Sequence, residues 1–241
     1  MAKMLLVANW KNHPSSLFEV RALLKSLSTK RKLFKKFSLF IAPPLFYFES
    51  VSERASFYSL ASQDLEHIDI LKSFGTKLAI IGHSDRRVMG ETNEIINKKI
   101  KLALRSGITP LLCIGESLPD RDGEHFEFLR DQLRHALSGI KKSDASKLLV
   151  AYEPVWAIGK SAKDSISSDD LSETVIFIKK VLSDILGRKI ADKISILYGG
   201  AVEPANAGDL MRESGIKGFL VGHASLNARS FEGIAKSMLM K

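Results

Sequence analysis

Glu153 stands where an apolar run ends: Leu148–Tyr152 precedes it, and Pro154, Val155, Trp156, Ala157, Ile158 and Gly159 follow. A base at the mouth of a buried strand, beneath a greasy loop, is what proton transfer away from water requires. Other short runs end in comparable ways. Asn9-Trp10-Lys11 follows the first, and "GHSDRR", beginning at Gly82 and carrying His83, follows the fourth. "YGGAV" from Tyr198 closes the seventh, and "VGHAS" from Val221 closes the eighth. Glycine turns present backbone N–H groups that bind phosphate. A carboxylate beside a phosphorylated substrate can remove a proton from the carbon next to a carbonyl. An imidazole and an ammonium can then stabilise the enediolate oxygen. Taken singly, each group is ordinary, since a Glu at a strand end is often a surface charge and paired glycines often mark only a turn. Their weight comes from joint placement after different strands. This chemistry calls for no metal and no cofactor. The histidines lack the spacing of a zinc site, two His four apart with a Glu between.

The elements that must position these groups alternate regularly. Eight apolar runs of four to seven residues read as strands buried on both faces: Met4–Ala8, Phe37–Ala42, Phe57–Ser62, Leu78–Gly82, Ile108–Ile114, Leu148–Tyr152, Ile194–Tyr198 and Gly218–Val221. Amphipathic stretches lie between them. "LFEVRALLKSL", "NEIINKKIKLAL", "FEFLRDQLRHAL" and "LSETVIFIKKVLSDIL" repeat apolar residues at helical spacing, and a last helix is expected over Phe231–Leu239. No linker or low-complexity tract interrupts the series, so one domain over residues 1–241 is expected. Such alternation has two main solutions, an open doubly wound sheet and a closed parallel barrel. The 241 residues suit the barrel, whose usual size is about 250, and an open sheet would leave two apolar edges. In both folds ligands bind at the C-terminal ends of strands.

Composition narrows the partners. The chain carries 36 Lys and Arg against 27 Asp and Glu, a net charge of +9. An anionic metabolite or a plain solvated basic surface accounts for that excess. The basic residues are scattered, and no aromatic-interleaved RNA-binding motif occurs, so no nucleic-acid partner is expected. Cys113 is the single cysteine, within the apolar "ITPLLCIG", and reads as a core thiol in a reducing compartment. No run approaches about 18 apolar residues, and the N-terminal run is too short for a signal peptide. The expected setting is cytoplasmic, without membrane contact.

"NWK", "GHSDRR", "CIGE", "AYEPVWAIG", "YGGAV" and "GFLVGHASL", in this order from about residue 4 to residue 235, resemble the triosephosphate isomerase family. The resemblance implies a single (β/α)8 barrel that interconverts glyceraldehyde 3-phosphate and dihydroxyacetone phosphate, in a family that is itself a standard worked case of pKa tuning. It implies that Glu153 is the base and His83 a neutral electrophile. Lys11 supplies positive charge, and Asn9 helps to position the substrate. Gly159, the Gly199-Gly200-Ala201 turn and the Gly222-His223 turn would bind phosphate. Pro154 to about Ala162 would form a lid. Tyr198, Trp156, Ser84 and Asp85 would support lid, base and Lys11.

Four departures from that family stand out. After the third strand the family has a long loop with Thr-Gly-Glu that inserts into a partner subunit. Here that loop is shorter by roughly ten residues, and much of an interface that normally exceeds about 1,000 Å² is lost with it. Asn12 also stands where an apolar residue meets the partner. A monomer, or a dimer on another face, is therefore expected. The lid continues Lys160-Ser161-Ala162 instead of Thr-Gly-Lys. Ala201 replaces a Ser and His223 a Gly in the phosphate turns, a change that leaves another small phosphosugar as an alternative substrate. Asp85 replaces a Glu, one methylene shorter towards Lys11.

Overall fold

The computed structural model describes residues 3–118, 123–162 and 165–240. Eight strands form: β1 (Leu5–Asn9), β2 (Ser38–Ala42), β3 (Ser59–Ser62), β4 (Leu78–Ile81), β5 (Thr109–Ile114), β6 (Leu149–Tyr152), β7 (Ser195–Tyr198) and β8 (Gly218–Val221). They pair in parallel, each with its neighbour in sequence, and β1 pairs with β8 to close a barrel. Each lies on the apolar run expected to form it. Closure depends on Gly218, because a side chain there would drive into the Leu5 carbonyl of the facing strand.

A helix follows every strand: α1 (Leu17–Ser28), α2 (Phe48–Ser52), α3 (Ile68–Ser73), α4 (Asn93–Arg105), α5 (Glu124–Leu137), α6 (Ser168–Leu186), α7 (Ala207–Glu213) and α8 (Ala228–Ser237). Side-chain caps set several starts. The Ser16 hydroxyl accepts the Glu19 N–H at 3.2 Å before α1, and the Ser167 hydroxyl accepts the Asp170 N–H at 3.1 Å before α6. The last helix begins three residues earlier than its apolar periodicity suggests. Asn227 caps it by accepting the N–H groups of Arg229 and Ser230, both at 3.0 Å. Four-residue helices at Arg31–Phe34, Lys142–Ala145 and Arg188–Ala191 are too short to show a period in sequence.

The strands are apolar on both sides because the core has two layers. Val7, Ala42, Ile80, Leu111, Ala151 and Leu220 fill the barrel interior, while a larger cluster packs between the strands and the helices. Among the described residues no helix is long and apolar enough to cross a membrane. The C-terminal strand ends, with the short helix Ser84–Val88 after β4, form the rim on which the candidate residues sit.

Candidate active site

β1 delivers Asn9 and, two residues on, Lys11. Asn9 is buried, and its Oδ1 accepts the Lys11 backbone N–H at 3.1 Å. Lys11 adopts a left-handed φ of +50°. That conformation costs a non-glycine residue about 1 kcal/mol or more. Gln63, immediately after β3, helps hold it: its Nε2 donates to the Lys11 carbonyl at 2.6 Å and to the Ala42 carbonyl at 3.0 Å. The Lys11 ammonium reaches Asp85, with Nζ 3.1 Å from Oδ2. The shorter carboxylate therefore spans the gap.

β4 delivers His83 as the cap of the helix Ser84–Val88. Its Nδ1 accepts the Asp85 backbone N–H at 3.1 Å. A ring nitrogen that accepts carries no proton, so in the neutral ring this hydrogen bond puts the proton on Nε2. Nε2 lies 3.4 Å from Glu153 Oε1, and both side chains are buried. Ser84 is buried beside them, but no hydrogen bond joins its hydroxyl to Glu153, whose carboxylate is turned to His83 instead.

β6 delivers Glu153. Its backbone N–H donates to the Ile114 carbonyl at 2.8 Å, which carries the ladder one residue past the strand. Across from it, the Gly199 N–H donates to the Tyr152 carbonyl at 2.8 Å. A methyl group on Gly199 would stand 2.7 Å from Glu153 Cγ, so glycine there gives the base room to lie inward. Cys113 lies in the barrel interior beside this carboxylate. Burial first, and then the Glu153 charge, push its thiol well up, so it stays protonated and inert.

Glu116, after β5, holds the segment on either side of Glu153. Its Oε1 accepts the Tyr152 hydroxyl at 3.0 Å and Trp156 Nε1 at 2.7 Å, and its carbonyl accepts the Val155 N–H at 2.9 Å. Burial, followed by the Glu116 carboxylate, raises the Tyr152 phenol. Beyond the helical turn Val155–Ala157, the lid tip Gly159–Ser161 is exposed. Tyr198 is buried under the next turn. Burial raises its phenol, and its hydroxyl has no hydrogen-bond partner among the described residues.

These elements enclose a cavity of about 450 Å³. Asn9, Lys11, His83 and Glu153 line one side of its wall, and Gly159, Gly199, Gly200, Ala201, Gly222 and His223 complete it. The backbone N–H groups of Gly200, Gly222 and His223 have no partner among the described residues, whereas that of Gly199 serves the β6–β7 ladder. Gly199 thus supplies clearance for the base more than an anion donor. His13, unremarked in the sequence, also borders the cavity. Gln63 and the acceptor role of Glu116 were likewise missed. The one signal for Glu116 is its place directly after an apolar run, as for Glu153. The arrangement provides a base, a neutral N–H donor, an ammonium and unpaired backbone donors around one small hollow.

The family model for triosephosphate isomerase matches residues 4–238. A protein named triosephosphate isomerase from Dictyoglomus thermophilum is 35% identical over 98% of this chain and 100% of its own length. One of the same name from Carboxydothermus hydrogenoformans is 35% identical over 99% of this chain and 100% of its own length. Another from Fusobacterium nucleatum is 45% identical over 70% of this chain and 67% of its own.

Proposed function

The chain belongs to the triosephosphate isomerase family and interconverts glyceraldehyde 3-phosphate and dihydroxyacetone phosphate, and from that premise we propose how its residues divide the work. The substrate phosphate rests on the unpaired N–H groups of Gly200, Gly222 and His223, with Gly159 brought over it by the lid and Ala201 beside it. The substrate carbonyl points at His83 Nε2 and the Lys11 ammonium. Glu153 removes the proton from the carbon beside that carbonyl, and the electron pair moves onto the oxygen. The resulting enediolate is held by the Nε2–H and by Lys11. The Nε2–H of His83 gives its proton to the former carbonyl oxygen, and Nε2 takes the proton of the neighbouring hydroxyl. Glu153 then places its proton on the carbon that bore the carbonyl, so that aldehyde and ketone exchange without any external oxidant or reductant. The lid keeps water out during this step, with Trp156 and Tyr198 at its two ends. The whole chain forms a single catalytic domain that acts in the cytoplasm.

The observation that carries these assignments is the 3.4 Å approach of His83 Nε2 to the Glu153 carboxylate over the cavity. Glu153→Gln removes the base with little change in bulk. It lowers kcat by about a thousandfold or more while the protein stays folded and still binds sulfate. A variant within about tenfold of the parent would place the proton transfer elsewhere.

The short loop after β3, residues 63–67, favours a monomer. A second reading, a dimer on a non-standard face, draws on the exposed apolar side chains Phe46, Val88 and Met89 around that loop. Light scattering at micromolar concentration separates them. A mass near 26.7 kDa supports the monomer, and twice that value supports the dimer.

A further inference from the structure

Lys11 is gripped at both ends of the residue, and the two grips are tied to each other. Gln63 holds its carbonyl at 2.6 Å, and Asp85 holds its ammonium at 3.1 Å. The residues that follow these two in the chain, Asp64 and Arg86, form an ion pair of their own, with Arg86 Nη2 2.7 Å from Asp64 Oδ2. A closed circuit results: Lys11 carbonyl, Gln63, Asp64, Arg86, Asp85, Lys11 ammonium. Asp64 is only 12% exposed at its side chain, and its other oxygen is held by Lys99 from α4 at 2.6 Å. Lys99 in turn pairs with the nearly buried Glu91. Arg86 also binds Glu66 of the same short loop at 2.5 Å.

We propose that the Asp64–Arg86 pair is a positioning device for the reaction: it locks the loop after β3 to the helix after β4, and so fixes the strained Lys11 over the cavity. This rests on the assignment of Lys11 as the group that stabilises the enediolate. A residue at φ +50° relaxes unless its surroundings over-determine it. Gln63 can hold the Lys11 carbonyl only while its own loop is held. That loop is five residues long, and Asp64, the more buried of its two carboxylates on Arg86 and the one that Lys99 also holds, is its main anchor to the rest of the rim. Every member of the circuit belongs to one chain. Lys11 is therefore fixed without help from a second subunit, which suits a chain whose β3 loop is too short to reach one.

Asp64→Asn keeps the shape and removes the charge that Arg86 and Lys99 both use. Gln63→Ala removes the hydrogen bond to the Lys11 carbonyl. Each single variant is expected to lose about ten- to a hundredfold in kcat/KM. Both act through the same lysine, so the double variant should fall no more than about twofold below the weaker single. The thermal midpoints of the two, which report packing, should instead drop additively. Singles with parental kcat/KM, or losses that multiply in the double, overturn the proposal. Arg86→Met removes the same pair from the other side and replaces Asp64→Asn if that variant does not fold, and parental kcat/KM there counts equally against it. An inactive parent protein would instead overturn the catalytic assignment beneath.

Discussion

The two halves of the barrel rim are built on opposite plans. Around Lys11, on the β1–β4 side, the polar groups hold one another: Asn9 with Lys11, Gln63 with two carbonyls, Asp85 with Lys11, Arg86 with Asp64 and Glu66, although Trp10 Nε1 and Ser62 Oγ nearby are buried without partners among the described residues. On the β5–β8 side polar groups wait for one. Among the described residues the N–H groups of Gly200, Gly222 and His223 are unpaired, the Tyr198 hydroxyl has no partner, and residues 159–161 are exposed. The first half is therefore organised within the chain, and the second leaves donors free for a ligand. That split suits the chemistry. The groups that stabilise a fleeting charge gain most from being fixed beforehand, whereas the half that admits and releases substrate must be able to move.

The contrast can be broken most severely at Gly199, the point on the β5–β8 side that abuts Glu153. Gly199→Ala places a methyl 2.7 Å from Glu153 Cγ and must push the carboxylate aside. A displacement of that size is expected to cost about a hundredfold in kcat with little change in thermal midpoint. Steady-state kinetics with a melting curve test it, and a kcat within about threefold of the parent would show that the base has slack. Glu116, like Asn206 in the turn after β7, is a paired group on that side. Glu116→Ala leaves the buried Tyr152 hydroxyl and the Trp156 N–H without their acceptor, and should lower stability by about 1–3 kcal/mol in urea unfolding. An unchanged midpoint would mean that water replaces the carboxylate fully. The smallest effect sharpens the contrast instead. Ala201→Ser adds a hydroxyl to a turn with donors to spare. It should tighten sulfate binding by up to about tenfold, the equivalent of about 0.5–1.5 kcal/mol. Weaker binding in this variant would show that the turn is already filled.

The same contrast explains what could be read from sequence. The strands were legible because parallel strands in a barrel are buried on both faces and appear as unbroken apolar runs. Lys11, His83 and Glu153 were legible because each stands just past such a run. Gln63 stands there too, but an uncharged amide suggests no chemistry, and its partners Lys11 and Ala42 are on other strands. The doubling of Gly199 as clearance for Glu153 rests on the β6–β7 register, which pairs Tyr152 with Tyr198. For Ser84, which the family resemblance assigns to the resting base, the structure shows a carboxylate that faces His83. Cross-strand register and side-chain direction leave no mark in one-dimensional spacing, and the whole interior of the Lys11 circuit is made of them.

The pairing of β1 with β8 has a consequence for how the enzyme comes into being. Lys11 and Gly222 border the same hollow but stand 211 positions apart in the sequence. During synthesis the first strand must wait, with one edge uncovered, until β8 has left the ribosome. A nascent chain stopped before Gly218 therefore has no active stage on its way to the finished molecule, however much of its helical shell has already packed.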